Sequence, residues 1–151
     1  MSSPRPKPVG GVLAIDHGTK RTGFAVTDAL RLGVFALDTF HGDGSGAALL
    51  DHVAKLCTER SIATFLVGFP WDPAGGEGGR APDVRAFAER LRGHFPTIEV
   101  VLYDERLTTK AAEDLLRESG HHGAERKARR DSWSALVLLR DWIDSGEPRS
   151  G

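Results

Sequence analysis

Four consecutive apolar residues, Val12, Leu13, Ala14 and Ile15, run directly into a carboxylate, Asp16. An apolar run without alternation suits a central strand covered on both faces better than an edge strand with one wet face. Such a strand needs a sheet with further layers packed on each side. The strand must leave the sheet at Asp16. Gly18 supplies the permissive backbone for a tight turn, and Thr19 and Lys20 carry the chain toward a second strand, Thr22 to Thr27. A carboxylate is thereby presented at the mouth of a buried strand. By itself Asp-x-Gly is turn chemistry, so any functional weight has to come from other segments.

The chain has 151 residues, the size of one ordinary domain with room for a core. Hydrophobic residues make up 40% and charged residues 27%, with no apolar stretch long enough to span a bilayer. The N-terminal MSSPRPKPVG contains no apolar segment of the secretory kind. The expectation is a soluble, cytoplasmic protein with no membrane partner. Cys57 is the only cysteine and shares a helical face with Leu50 and Val53, which predicts an inert structural thiol. A net charge of −1 gives no global basic field, so a nucleic-acid partner would have to be held by a local patch.

Residues 1–10, with three prolines and no periodicity, are expected to be a disordered tail. Residues 11–145 form the predicted domain, and 146–151 (GEPRSG) a frayed C-terminal tail. After the first two strands, Gly33 to Phe40 favours a third extended segment through its β-branched and aromatic content. Three strands with short links make an antiparallel meander. Helical spacing of Leu49, Leu50, Val53, Ala54, Leu56 and Cys57 predicts a helix over Ala47 to Arg60. Beyond it the pattern alternates: a strand over Ala63 to Val67, a helix over Ala81 to Leu91, a strand over Ile98 to Tyr103, and a helix over Thr109 to Glu118. A last helix runs from about Arg130 to Ser145. This is a mixed five-stranded sheet, three strands antiparallel and two parallel, with helices on both faces: an α/β, ribonuclease H-like architecture. Right-handed crossovers place the two later strands parallel to the first, so their carboxyl ends share a rim with Asp16.

At that rim the sequence offers Asp104-Glu105-Arg106, directly after the strand VVLY, and Asp131 at the start of the last helix. An acidic pair after a strand is ordinarily a solvated loop start, and an acid at a helix N-terminus interacts favourably with the helix dipole without any chemistry. Three carboxylates converging from remote segments are a different matter. Like charges on one edge repel unless a cation neutralises them, and hard divalent ions such as Mg²⁺ or Mn²⁺ are the natural occupants of an all-oxygen site.

Four ordered motifs carry a resemblance to a known family: DHGTKRTGFAVTD, GFP at Gly68 to Pro70 followed by EGGRA, DERLTT at Asp104 to Thr109, and Asp131 preceded by basic residues. In this order they resemble the YqgF family, also called RuvX, of Holliday junction resolvases or pre-16S ribosomal RNA nucleases, over nearly all of the chain from Gly11 to Asp144. The resemblance implies a metal-dependent nuclease with Asp16, Glu105 and Asp131 matching the family's metal-binding acids. This chain departs from the pattern at His17, where an apolar residue is usual, at Trp71 and Asp72 after the GFP, and at Arg129-Arg130 before Asp131. His17 leaves open a fourth metal ligand or a proton shuttle beside the role of an oriented turn histidine.

On this reading two ions hold an attacking water and a leaving oxygen of a phosphodiester, with Asp16 bridging them and Glu105 and Asp131 on either side. Lys20, Arg21, Arg80, Arg106, Lys127, Arg129 and Arg130 are candidates for gripping backbone phosphates. Four positive charges within 126–130 make the ERKARR run the densest basic patch. The segment from Gly68 to Arg80, with five glycines and two prolines, could act as a lid, with Trp71 either stacking on an unpaired base or tucked against the loop's own base. The substrate expected is precursor ribosomal RNA, with 5′-end maturation of pre-16S rRNA as the task and ribosomal particles as a further partner; branched DNA is the alternative, and the chain would act as a monomer or homodimer. Two other classes are weaker. A D-x-G-T turn also resembles the first phosphate loop of actin-like and sugar-kinase ATPases, but those need two lobes. A non-catalytic RNA-binding assembly module would need the basic run and leave the three acids incidental.

Overall fold

In the computed structural model, residues 9–70, 79–104 and 130–149 are described. Nine elements follow in order: β1 (Gly11–Asp16), β2 (Arg21–Thr27), β3 (Val34–Ala36), β4 (Phe40–His41), α1 (Ala47–Glu59), β5 (Ile62–Phe69), α2 (Ala81–His94), β6 (Glu99–Asp104) and α3 (Arg130–Asp144). The expected helix over Thr109 to Glu118, Trp71 and the tip of the glycine-rich segment lie outside the described residues.

β1 occupies the middle of the sheet, whose order is β3-β2-β1-β5-β6. It pairs antiparallel with β2 (Ile15 opposite Phe24, Asp16 opposite Gly23) and parallel with β5 (Ile15 beside Val67). β5 pairs parallel with β6, ending at Phe69 beside Asp104. The antiparallel β1–β2 pair, the two parallel strands and their shared rim are as the sequence predicts. Alternation of side chains across the pleat divides β1 between two cores. Leu13 and Ile15 join Phe24, Phe65 and Val67 beneath Leu49, Leu50 and Val53 of α1 and Val84, Phe87 and Leu91 of α2. Val12 and Ala14, with Ala25 and Leu66, lie under Trp133, Leu136, Leu139 and Trp142 of α3. All four apolar residues of β1 have zero exposure. Burying each Val, Leu or Ile is worth about 1.5–3 kcal/mol, so the register of this strand is strongly held.

α2 starts where Pro82 fits the first turn, and Asp83 there and Arg92 and His94 in the last turn complement the helix dipole. Cys57 is half-buried against the first core, and desolvation raises its thiol pKa to about 11, consistent with an inert structural role.

Two expectations are corrected. The third strand is not continuous. β3 and β4 both pair with β2, at its two ends, and the chain leaves the ladder over residues 37–39. Leu37 N–H still reaches Phe24 O at 2.8 Å, but the next step of the ladder is filled from elsewhere, as described below. Residues 146–149 are also docked and not frayed. Trp142 Nε1 donates to Pro148 O at 2.8 Å, Arg149 Nε bonds Glu99 at 2.8 Å, and the Arg149 guanidinium lies 5.2 Å from the Trp142 ring centroid. Glu147 receives both Nε and Nη2 of Arg31, each at 3.1 Å, while Arg31 Nη1 donates to the carbonyls of Gly10, Asp28 and Ala29. Both partners adopt left-handed backbone conformations, Arg31 at φ 58° and Glu147 at φ 56°, which the bidentate pair over-determines.

The Arg31–Glu147 side chains are only 18% and 11% exposed, so the pair is not a screened surface bridge. Glu147→Ala should lower unfolding free energy by about 1.5–3 kcal/mol in urea titration, the range for hydrogen bonds to a charged group. A loss below about 0.5 kcal/mol would mark the closing segment as a surface feature.

Candidate nuclease site

The rim is set by three parallel strands ending together. Asp16 closes β1, Phe69 closes β5 and Asp104 closes β6, and both carboxylates are half-buried. On β5, Gly68 follows Val67, the partner of Ile15, and pairs with Tyr103. A residue without a side chain thus lies level with Asp16, between the ends of β1 and β6. Two strand spacings put the β1 and β6 backbones about 10 Å apart. Glu105 is the next residue of the chain after Asp104.

The turn that carries Asp16 is held from three sides. Gly42 N–H donates to Lys20 O and Gly44 N–H to Thr19 O, each at 2.9 Å. His17 Nε2 lies 2.9 Å from Gly44 O. A carbonyl only accepts, so Nε2 carries a proton in this bond, while the buried Nδ1 has no hydrogen-bond partner among the described residues. The ring is 5% exposed and stacks on Phe87 with centroids 4.4 Å apart. Desolvation lowers its pKa below the usual imidazole value, the Gly44 carbonyl offsetting part of this and Arg80 adding to it. Of the three roles the sequence left open for His17, the oriented turn histidine is the one this geometry fits. From the α2 side, Arg80 Nη2 donates to the His17 carbonyl, which brings that guanidinium to the Asp16 turn. Lys20 and Arg21 are exposed on the same turn, and Arg21 pairs with His41 of β4.

The start of α3 is fixed to the same region. Ser132, with zero exposure, accepts Phe24 N–H at 3.2 Å and lies 3.1 Å from Thr39 Oγ1. Phe24 is opposite Ile15, one residue before Asp16. The helical backbone at Asp131 therefore begins beside the strand pair that ends in Asp16. For Arg130 and Asp131 only the backbone is described, and Glu105, Arg106, Lys127 and Arg129 lie outside the described residues. Sequence reading missed Ser132, Thr39 and Gly44. A serine on the apolar side of an amphipathic helix, next to an acid, was the available signal for Ser132.

A model of the family described as "RuvX: Holliday junction resolvase" matches residues 10–145. The chain belongs to the RuvX family. Among curated relatives, proteins described as "Putative pre-16S rRNA nuclease" from Halalkalibacterium halodurans and Salinibacter ruber are 35% identical over 133 residues and 39% over 135; they cover 87% and 88% of this chain and 94% and 92% of their own. Among solved structures, Thermus thermophilus RuvC in complex with a Holliday junction substrate superposes with TM-score 0.57 at 15% identity, covering 92% of this chain and 98% of RuvC. Fowlpox virus resolvase gives 0.52 at 12%, covering 89% and 99%. These two likenesses show the fold alone, a ribonuclease H-like α/β architecture. No described helix is long and apolar enough to cross a membrane.

Other cavities differ in place from the rim. One of about 340 Å³ lies at the opposite end of β1, lined by Gly11, Thr27, Phe35 and Ile62. A smaller one of about 190 Å³ flanks the turn, between His17, Thr19, Asp43 and Arg90.

The packing of the turn sets a direct test. A Cβ on Gly44 would come 2.1 Å from Gly18 O and 2.8 Å from His17 Nε2, whereas one on Gly93, in α2, would meet nothing within 4 Å. Gly44→Ala should cost about 1–3 kcal/mol of stability and impair the site, and Gly93→Ala should gain about 0.5–1 kcal/mol. Equal effects in denaturant titrations would mean that the loop yields freely and does not hold the turn.

Proposed function

We propose that this RuvX-family chain is a divalent-metal-dependent nuclease that hydrolyses a phosphodiester in the 5′-end maturation of pre-16S rRNA, in the cytoplasm. One observation carries the reading. β1 delivers a half-buried carboxylate to a rim beside which β6 ends one residue before Glu105, and onto which Ser132 fastens the helix start that includes Asp131.

The residues fit a hard cation. Asp16, Glu105 and Asp131 offer only oxygen, and a divalent cation would offset the repulsion of such carboxylates where they converge. Among the described residues no group of three His, Cys, Asp or Glu side chains makes a competing metal site, and His17 is committed to Gly44 and Phe87. When bound, one or two Mg²⁺ or Mn²⁺ ions supply water activation and stabilisation of the leaving oxygen. Asp16, at the end of the strand buried on both faces, would hold the ion together with Glu105 and Asp131. Lys20, Arg21 and Arg80 at the turn, with Arg106, Lys127, Arg129 and Arg130, would grip flanking phosphates. Arg80, through its bond to the His17 carbonyl, ties that grip to the position of Asp16.

The RNA substrate is favoured by the names of relatives about 35% identical over most of the chain. A second reading, Holliday junction cleavage, is favoured by the family's own description. Purified protein with Mn²⁺ or Mg²⁺, given a 5′-extended 16S precursor and a synthetic four-way DNA junction, should cut the RNA near the mature 5′ end. Asp16→Asn should lower the rate by at least about 10³-fold, the order expected for removing a central electrostatic element. Cleavage of the junction alone would replace the first reading by the second. Binding of RNA with no cleavage of either, in both metals, would leave a non-catalytic module.

A further inference from the structure

The gap in the third strand, the one place where the sheet departs from the expected meander, is filled from across the molecule. In an antiparallel hydrogen-bonded pair, two opposite residues exchange both N–H···O bonds. β2 and β3 are in register through Ala25 with Ala36, so Phe24 and Leu37 are the next pair. Leu37 N–H does donate to Phe24 O at 2.8 Å. The reciprocal donor, Phe24 N–H, goes to Ser132 Oγ at 3.2 Å, 108 residues along the chain. Ser132 Oγ is also within 3.1 Å of Thr39 Oγ1, on the segment that left the ladder. The hydroxyl accepts from one partner and can exchange a hydrogen bond with the other, and its residue has zero exposure.

A buried N–H left without a partner is costly, so this hydroxyl has one favourable height along β2. α3 can slide only by giving up that bond. Its first turn is thereby indexed to Phe24, which faces Ile15, the neighbour of Asp16. Apolar packing of Leu136, Leu139 and Trp142 supplies most of the helix's binding to the sheet, yet apolar contacts are non-directional and fix its axial position far less sharply than one buried hydrogen bond.

We propose that Ser132 is a positioning residue: through Phe24 N–H and Thr39 it sets the place of Asp131 relative to Asp16, and so the affinity of the site for its divalent ion. The inference rests on the nuclease reading, in which Asp131 is a metal ligand.

Five proteins test it: wild type, Ser132→Ala, Thr39→Val, Thr39→Ser and Val137→Ala. Val137 is a buried residue of the same helix that makes no such bond. Each is measured for apo melting temperature, amide exchange at Phe24, Mn²⁺ dissociation constant by calorimetry, and kcat and KM on RNA. Ser132→Ala should expose the Phe24 amide to faster exchange, raise the Mn²⁺ dissociation constant by about tenfold, the lower end of the effect of outer-shell partners, and lower kcat with KM changed less than twofold. Thr39→Val, which keeps the Phe24 bond, should shift both in the same direction by less, with Thr39→Ser restoring them. Val137→Ala should melt lower with an unchanged Mn²⁺ constant. If Ser132→Ala binds Mn²⁺ as wild type does, or only in proportion to its loss of stability as Val137→Ala does, the serine is a structural cap and the inference falls while the nuclease reading stands. Wild type that fails to bind Mn²⁺ would overturn both.

Discussion

The structure depends on β1 being hydrogen-bonded along both edges and buried on both faces. It is antiparallel to β2 on one side and parallel to β5 on the other, with α1 and α2 over Leu13 and Ile15 and α3 over Val12 and Ala14. A strand constrained in four directions cannot slip by one residue without exchanging its two apolar sets between the cores. That fixity is inherited by Asp16, the last residue of the strand. A carboxylate with a fixed position is what a metal site or an in-line displacement needs, since misplacement of about 1 Å can cost two orders of magnitude in rate.

Around this strand the protein uses backbone contacts to hold the rim. The β1–β2 turn is held by the 42–44 loop through two backbone bonds and by His17 through a third, and α2 adds Arg80 on the His17 carbonyl. A Cβ on Gly44 would run into the Gly18 carbonyl and one on Gly18 into the Arg21 carbonyl, so neither position tolerates a side chain. Of these contacts the one from α2 brings a guanidinium, that of Arg80, to the turn on which Lys20 and Arg21 are exposed.

Much of this is legible in the chain because the relevant signals are local. The apolar run of β1, the helical spacing of Leu49, Leu50 and Val53, and the alternation of elements after residue 60 depend on neighbours in sequence, and right-handed crossover then orders the strands. What was not legible depends on contacts far apart. Gly33 to Phe40 has good strand composition throughout, yet its middle leaves the ladder where Ser132 takes over the Phe24 amide, a partner 108 residues away. GEPRSG has the composition of a tail, yet Glu147 finds Arg31 and Pro148 finds Trp142. His17 could be read as ligand, shuttle or turn residue until Gly44 and Phe87 were seen against it. The motif resemblance, by contrast, named the family correctly, since four ordered motifs constrain far more than any one.

In the proposed reading Asp16 belongs to a cluster of like charges that a bound divalent cation stabilises. Melting curves of wild type and Asp16→Asn, each in EDTA and in Mn²⁺, address it without knowledge of the substrate. In EDTA the neutral variant should melt at or above wild type, because one repelling charge has been removed at constant size. In Mn²⁺ the order should reverse, wild type gaining about 2.7 kcal/mol at a hundredfold excess over its dissociation constant and the variant far less. A variant clearly destabilised in EDTA, with both proteins responding equally to Mn²⁺, would contradict the account and make Asp16 a turn residue.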